Sequence, residues 1–287
     1  MAGYGRSTLA QLPCDWFSPE RWFTRAAEDT PITWLGGPAM TLGIALQGTD
    51  GVVLAADSRA IHEEPKNQGM KLCEDGRCKL HGVTTRAALC IQGRDDYEAE
   101  FLRRVRGELG PDDDIETVCR RCCSKMRELY SNYFPGLPIE KTPETNLLLV
   151  GLTSGPNPIP RIVHLAQAAL WAPREPHGGY EAIGLWLIAR YLLRGLYRKG
   201  LNVATLSQIA VFVLGEAIAV TPELGAPIHV ARVTLAGRYQ LLTQEVVETL
   251  KKDNETRREQ ALACLREQGA GDLVCEACWQ PGELLTG

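Results

Sequence analysis

The sequence has 287 residues, a formal net charge of −4 at neutral pH, 45% hydrophobic residues and 23% charged residues. The slightly acidic charge argues against a general nucleic-acid-binding protein, because phosphate binding requires a concentrated basic surface, and the apolar fraction argues against intrinsic disorder. The sequence has no uninterrupted run of about eighteen apolar residues, so no membrane partner is expected.

The first segment, residues 1–40, differs in composition from the rest of the chain. Its aromatic side chains are denser than elsewhere: Trp16, Phe17, Trp22, Phe23 and Trp34. The segment lacks the continuous apolar core of a secretory signal, which predicts a cytoplasmic protein. Two interpretations are open: a propeptide that covers the unassembled site or guides assembly, and an N-terminal extension that packs on the body or on a neighbour.

Residues 41–59 predict a β-hairpin. Two short apolar runs, too short for helices, flank a turn that contains glycine and aspartate. Counting back from this turn places Thr41 opposite residue 58, so Thr41 and Asp57 are expected to meet at the open end of the hairpin. A hydroxyl beside a carboxylate at the end of a buried hairpin predicts a reactive site. The alternative is an ordinary edge threonine and a turn-capping aspartate.

The elements that follow alternate between strands and pairs of helices. In chain order they are a hairpin at 79–93, helices at 95–109 and 114–133, strands at 146–153 and 161–167, short extended pieces at 169–172 and 180–183, helices at 184–198 and 203–220, and a strand at 228–235. Near-continuous apolar strands require burial on both faces. This order predicts an α+β fold, a four-layer αββα sandwich over residues 41–242, followed by a helical, cysteine-containing extension at 243–287.

The string GVVLAADSRA, which forms the second half of the first hairpin, resembles the proteasome subunit family, of beta type or HslV-like, within the N-terminal-nucleophile (Ntn) hydrolase superfamily. In that family an apolar hairpin ends in Asp-Ser-Arg, and a threonine at the position of Thr41 becomes the first residue of the mature chain after self-cleavage. Lys79 opens and Gly93 closes a second hairpin in the family's order. The resemblance is strongest over residues 41–102.

The resemblance implies a threonine-type endopeptidase. Thr41 would be the nucleophile, and its own α-amine, with a reference pKa of about 8, would be the base. Lys79 would place a positive charge beside the Thr41 hydroxyl, and Asp57 would orient Lys79. The N–H of Gly93 would donate to the oxyanion. Arg59 matches the arginine that neighbours the carboxylate in the family. No cofactor and no metal ion is implied.

Three positions depart from the family pattern. The family has a serine in a Gly-Ser-Gly turn before the third helix, whereas Leu185 follows Gly184 here. The family has an aspartate before the last long strand, whereas Thr221 stands here and Glu223 is the nearest acid. Met40 replaces the glycine that normally precedes the nucleophile. These departures favour a second hypothesis, a catalytically silent structural or scaffold subunit of a ring. A third is an Ntn amidohydrolase acting on a small amide, because a fold does not fix a substrate.

The resemblance also implies partners. We expect a homo-oligomeric ring, a peptide or unfolded-protein substrate and an ATPase unfoldase. No nucleic acid and no membrane is expected as a partner.

The sequence contains ten cysteines, which we expect to be reduced in the cytoplasm. Cys119, Cys122 and Cys123 share one face of a predicted helix, which favours packing in the core. Cys275 and Cys278 have zinc-knuckle spacing, but only Cys264 lies near them in the sequence. A zinc site normally needs a second pair of ligands, so no metal site is predicted.

Overall fold

The computed structural model of the protein describes residues 41–63, 71–93 and 95–267. The predictions for residues 1–40, Cys275 and Cys278 lie outside these ranges. The strands are β1 (Leu42–Gln47), β2 (Gly51–Ala56), β3 (Ala60–Glu63), β4 (Lys71–Glu74), β5 (Leu80–Gly82), β6 (Ala87–Gln92), β7 (Asn146–Leu152), β8 (Pro160–Ala166), β9 (Pro173–Arg174), β10 (Tyr180–Gly184), β11 (His229–Thr234) and β12 (Tyr239–Leu241). The α-helices are α1 (Asp95–Arg106), α2 (Ile115–Tyr133), α3 (Trp186–Leu196), α4 (Val203–Val220) and α5 (Gln244–Glu267).

The first hairpin consists of β1 and β2, two apolar strands joined by a tight turn. Gly48 donates its N–H to the carbonyl of Gly51 across the turn (2.8 Å). The two strands pair in antiparallel fashion with Gly43 opposite Ala56. The residues that precede β1 and follow β2 therefore lie together at the open end of the hairpin.

Both large sheets are antiparallel and five-stranded. The first has the order β10-β1-β2-β11-β12 and the second the order β5-β6-β7-β8-β9, while β3 and β4 form a separate two-stranded sheet. The first sheet is completed late in the sequence, because β10 pairs with β1 and β11 pairs with β2. Together with the five α-helices of the described residues, these sheets make an α+β fold.

The strands are buried on both faces because their side chains alternate between the two sides of a sheet. In β1, Leu42 and Ile44 pack toward α3, α4 and α5, whereas Ala45 faces the second sheet. In β7, Leu149 packs against α1 and α2, whereas Leu148 faces the first sheet. We call the part between the sheets the inter-sheet core: Ala45, Val52, Leu54, Ala56, Leu80, Ala88, Cys90, Leu148, Val150, Leu152, Ile162, Ile183, Ala231 and Val233.

Two helices begin where the sequence predicts, because each start has a local capping residue. The Asp114 side chain accepts from the N–H of Thr117 (2.9 Å) before α2, and the Asn202 side chain accepts from the N–H of Thr205 (2.9 Å) before α4. The three cysteines of α2 are buried against the second sheet, as predicted.

Helix α4 is the one helix of the described residues that is long and apolar enough to span a membrane, with a mean hydropathy of 1.9. Only the length and the composition of this helix suggest a membrane span, and a core helix of a soluble protein can have the same length and composition. Half of the helix is buried, and its apolar side chains pack on the first sheet. Packing in the core is therefore sufficient to explain its composition.

The prediction of an extended piece at 169–172 is wrong. The chain forms a short 3-10 turn over Gln167–Ala169, and Leu170 and Trp171 follow with left-handed backbones (φ 53° for both). Trp171 is 1% exposed and its indole N–H donates to the carbonyl of Thr145 (3.1 Å). Burial of this large side chain against α2 and the second sheet decides the local path. Four short strands, β3, β4, β9 and β12, were not predicted, because they depend on pairing with partners rather than on apolar periodicity.

Glu181, in edge strand β10, is a buried carboxylate held by basic side chains. It is 3% exposed, and its oxygens accept hydrogen bonds from Arg174 and Arg190 (2.9 Å each) and from the N–H of Ala182 (3.0 Å). Burial alone would raise the pKa of Glu181. The interactions with His164, Arg190 and the Ala182 N–H and the charge of Arg174 outweigh burial, so the pKa falls to about 2.

We expect Glu181→Gln to lower the free energy of unfolding at pH 7 by about 2 kcal/mol. A carboxyl whose folded pKa is depressed stabilises the fold above its unfolded pKa, and this contribution is lost as pH falls toward the folded value. The variant should therefore show a shallower loss of stability between about pH 4.5 and pH 2. Urea unfolding at a series of pH values measures both effects.

Glu175→Gln is the matched control, because Glu175 also pairs with an arginine, Arg161 (2.8 Å), but is about half exposed. Its loss should change stability by less than about 0.5 kcal/mol at any pH. Equal losses for the two variants would contradict the assignment of a special role to Glu181.

Candidate active site

Thr41 directly precedes β1, at the open end of the first hairpin. The pairing of β1 with β2 places Leu42 level with Asp57 and Thr41 level with Ser58. Thr41 is 8% exposed, and its carbonyl accepts a hydrogen bond from the N–H of Leu185 (3.0 Å). The structure thus brings Thr41 and Asp57 together where the inner strands β1 and β2 begin and end, at one end of the first sheet.

The Asp57 carboxylate is fully buried and fixed by four donors. Its Oδ1 accepts from the N–H of Leu42 (2.9 Å) and from Lys79 Nζ (2.8 Å). Its Oδ2 accepts from the N–H of Arg59 (3.0 Å) and of Gly225 (3.4 Å). Both lone-pair sites of each oxygen are therefore engaged, which holds the carboxylate in one orientation.

Lys79 enters the site from the loop before β5, in the second sheet, and is 4% exposed. Its ammonium donates to Asp57 Oδ1 (2.8 Å) and to the carbonyl of Arg59 (2.6 Å). The resemblance implies a positive charge beside the Thr41 hydroxyl, but Lys79 forms no hydrogen bond to that hydroxyl in the described part of the chain. Two buried acceptors draw the ammonium toward the end of β2 instead.

Arg59 serves the site through its backbone rather than its side chain. The guanidinium forms a two-bond ion pair with Asp75 (2.7 and 2.8 Å) and also donates to the carbonyl of Pro222. The side chain therefore ties the segment after β4 to the loop after α4, while the N–H and carbonyl of Arg59 contact Asp57 and Lys79.

The loop after α4 reaches the site through Gly225 and not through the expected acid. Thr221 ends α4 and its carbonyl accepts from the N–H of Leu224 (3.1 Å), while Glu223 is half-buried. Among the described residues, neither Thr221 nor Glu223 forms a hydrogen bond or ion pair with Asp57. Gly225 donates to Asp57, and its carbonyl accepts from the N–H of Ser58 (2.9 Å). A Cβ on Gly225 would lie 2.8 Å from Arg59 Cβ, closer than two carbon atoms pack, so the close approach requires glycine.

Gly93 and Gly184 flank the site from two strands. Gly93 follows β6, and the pairing of β5 with β6 places Lys79 level with Ile91, so Gly93 lies at the same end of the second sheet. Gly184 ends β10 with a left-handed backbone (φ 79°), and a Cβ there would lie 1.6 Å from the Thr41 carbonyl oxygen. Only glycine permits this approach of β10 to Thr41.

Sequence reasoning missed three residues of this region: Ser58, Gly225 and His229. Gly225 contributes only backbone atoms, for which the sequence carries no side-chain signal. The Ser58 hydroxyl donates to the carbonyl of Gly225 (3.2 Å) and accepts from the N–H of Gly76 (3.2 Å), and both partners are distant in the sequence. His229 is a polar residue at the start of an apolar strand, and that position was the one available signal. In the part of the chain that the structure describes, no three His, Cys, Asp or Glu side chains are grouped to hold a metal ion.

A cleft of about 520 Å³ lies away from this site, beside Gln47 at the other end of β1. Its lining includes Glu116, Arg161 and Glu175, which form an ion-pair network of their own. The cleft is therefore not part of the arrangement around Thr41.

The buried ion pair gives a test of the site's architecture. Lys79→Met should lower the free energy of unfolding by about 3–5 kcal/mol, because it leaves the Asp57 charge buried without its cation. The double variant Asp57→Asn with Lys79→Met should lose less than Lys79→Met alone, because no charge is then left unpaired. Denaturant unfolding measures these changes. Arg258→Met is the control, since Arg258 forms an exposed pair with Glu216 (3.0 Å) and should cost under about 0.5 kcal/mol.

No protein-family model matches the chain, and no curated protein sequence matches it. Among solved structures, the chain is similar to a mutant of Anbu from Hyphomicrobium sp. strain MC1, with 15% sequence identity and a TM-score of 0.58. The match covers 82% of this chain and 100% of that chain. At this identity the likeness shows the fold alone, which is similar to that of Anbu.

Proposed function

We propose that the protein is a proteasome-like threonine peptidase of the Ntn class, built on a four-layer αββα sandwich. One observation carries the proposal: the buried Lys79–Asp57 pair is anchored to the first residue of β1, immediately after Thr41. Burying two charges is costly, and a packed apolar pair would stabilise a fold as well or better. A charged pair beside a hydroxyl at a sheet edge therefore favours chemistry over packing.

The proposed first step is self-cleavage of the Met40–Thr41 bond. The Thr41 hydroxyl attacks the carbonyl carbon of Met40, the C–N bond breaks, and the acyl group moves from nitrogen to oxygen as an ester. Water then hydrolyses the ester, which releases a carboxylate on Met40 and a free α-amine on Thr41. This amine becomes the general base for later turnovers.

In peptide hydrolysis the α-amine of Thr41 takes the hydroxyl proton, and the oxygen attacks the scissile carbonyl. Lys79 stabilises the developing negative charge, because two of its three N–H donors are held by Asp57 and Arg59 and the third remains for the reacting oxygen. The N–H of Gly93 is the proposed oxyanion donor. The scissile C–N bond then breaks, and the amine product leaves with the proton that the Thr41 α-amine had taken, so that an acyl-threonine ester remains. Water hydrolyses this ester, which releases the carboxylic acid product and regenerates Thr41.

One specific observation favours the scaffold hypothesis. Leu185, at the position of the family's serine, packs against the helical side of the first sheet, so its side chain adds apolar contact where a hydroxyl would support the amine. Thr221 and Glu223 likewise supply no hydrogen bond or ion pair to Asp57 among the described residues. In this second candidate function the chain retains the fold and the ion pair but acts only as a ring subunit.

We expect Thr41→Ala to abolish both self-cleavage and hydrolysis of fluorogenic peptides. Lys79→Ala should lose most of the rate, on the order of a hundredfold or more, because the alkoxide loses its stabilising charge. Thr41→Ser should keep measurable activity, since it keeps a hydroxyl nucleophile. Mass spectrometry of the purified chain detects the Met40–Thr41 cut, and peptide fluorescence measures turnover.

Lys199→Ala is the control for the loss of a lysine, because Lys199 is exposed in the loop between α3 and α4, which contacts the turn of the first hairpin at the end of β1 opposite to Thr41. A wild-type chain that stays uncleaved and inert, alone and with an ATPase unfoldase, would establish the scaffold hypothesis instead. Turnover of small amides without turnover of peptides would establish the amidohydrolase hypothesis.

The proposed assembly is a cytoplasmic homo-oligomeric ring that receives peptide or unfolded protein, with an ATPase unfoldase as partner. Helix α3 supports it by presenting large apolar side chains to solvent, with Leu187 61% and Tyr191 81% exposed. We expect light scattering to report an oligomer at micromolar concentration, and Tyr191→Arg with Leu187→Glu to shift it toward monomer. A monomeric wild type would contradict the ring.

A further inference from the structure

His229 lies where the first sheet meets the ion pair. It is the first residue of β11 and is paired with Ala56, the residue before Asp57. Because side chains alternate along a strand, His229 shares its face with Ala231, which belongs to the inter-sheet core. The imidazole is therefore directed between the two sheets, at the edge where Lys79 enters from the second sheet.

The imidazole is largely closed off from solvent. His229 is 9% exposed, and its Nδ1 is buried without a hydrogen-bond partner among the described residues. Buried ring nitrogens are normally paired, since an unpaired one costs the desolvation of a polar group. An unpaired ring nitrogen beside a buried charged pair indicates a role in the site rather than in packing.

The charged groups that act on this ring are those of the site. They are Asp57, from the end of β2, and Lys79, from the loop before β5. Cys90 of β6, in the same inter-sheet core, is a fully buried thiol whose pKa is raised by burial, so it is uncharged. From α5, Gln244 donates to the carbonyl of Ile228 and does not titrate.

Protonation of the ring would be poorly compensated. The two oxygens of Asp57 already accept from four donors, so they offer no further site to an imidazolium N–H. Burial lowers the pKa of His229, the charge of Asp57 opposes this effect, and the charge of Lys79 adds to it, so the net shift is downward. The ring is therefore neutral at pH 7 and gains its charge only in acid, below its usual value of about 6.5.

We propose that His229 is a positioning residue: while neutral it leaves the Lys79–Asp57 ion pair intact, and on protonation its positive charge repels Lys79 and disables the site. The effect of His229 protonation on turnover rests on the proposed peptidase function. The electrostatic coupling between His229 and Lys79 does not depend on that function. A purely structural histidine would affect stability, but its titration would not respond to the charge at Lys79.

The kinetic experiment compares the pH profiles of the full-length wild type and His229→Asn. The asparagine keeps a polar group near Nδ1 but cannot be protonated. In the wild type two groups, the Thr41 amine and His229, must both be neutral, so the plot of log rate against pH should steepen to a slope of about 2 in acid. His229→Asn should keep a slope of about 1 over the whole acid range. An unchanged slope of 2 in the variant would overturn the proposal.

The control is His164→Asn. His164 is also mostly buried with an unpaired ring nitrogen, Nε2, but its acidic neighbour is Glu181. This variant should keep the wild-type slope. If both variants lost the slope of about 2 in acid, the effect would come from general destabilisation, and this result would overturn the role of His229.

The second experiment does not depend on turnover. The chain has five histidines, so NMR titration of labelled imidazole carbons can resolve the His229 signal by its absence from His229→Asn. The signal should titrate below the usual value in the wild type, and Lys79→Met should raise its midpoint while leaving that of His164 unchanged. If Lys79→Met does not fold, Asp57→Asn, which removes the charge that opposes the downward shift, should lower the midpoint further, and an unchanged midpoint would overturn the coupling.

The two experiments separate the two claims. A low midpoint that responds to the charge at position 79 supports the positioning role even if no substrate is hydrolysed, in which case the peptidase proposal alone fails. A midpoint at the ordinary value in the wild type would overturn the positioning role, whatever the activity.

Discussion

The ion pair between Asp57 and Lys79 joins the two sheets at the edge of the molecule that carries Thr41. Asp57 follows β2 of the first sheet and Lys79 precedes β5 of the second, with 0% and 4% exposure. Two charges in such a place are tolerated only when hydrogen bonds complete their coordination. Three backbone N–H groups, from Leu42, Arg59 and Gly225, provide this for the carboxylate. The same contacts fix the start of β1, the end of β2 and the loop that leads to β11.

Arg59 shows how one residue can connect this interior arrangement to the surface. Its backbone contacts both members of the ion pair, while its guanidinium binds Asp75 and the carbonyl of Pro222 in partly exposed surroundings. The loop after α4 is therefore held by two contacts: the buried Asp57 carboxylate accepts from the N–H of Gly225, and the partly exposed Arg59 guanidinium donates to the carbonyl of Pro222. In the described part of the chain this fixing involves no hydrogen bond or ion pair of Thr221 or Glu223 with Asp57, so the loop holds Gly225 in place with Thr221 at its first position.

Local signals in the sequence were sufficient for the first hairpin and for the helices that begin after Asp114 and Asn202, because turns and caps involve neighbours in the chain. They were also sufficient to bring Asp57 and Thr41 to one edge. They failed for Trp171, whose backbone is set by burial of its side chain, and for Gly225, whose contacts involve residues far away in the sequence. Nothing in a single strand's pattern indicates which distant backbone will approach it.

The carbonyl of Thr41 is held by the N–H of Leu185, and Gly184 closes against it so tightly that no side chain fits. On the other side of the same peptide, the N–H of Leu42 is held by Asp57. The peptide that joins Thr41 to β1 thus cannot rotate without breaking a buried hydrogen bond on each side. Both anchors, Leu185 and Asp57, come from residues that follow Thr41, so the described fold itself preorganises the site. A cut before Thr41 would convert the Thr41 amide nitrogen into an amine and would leave both of these hydrogen bonds in place.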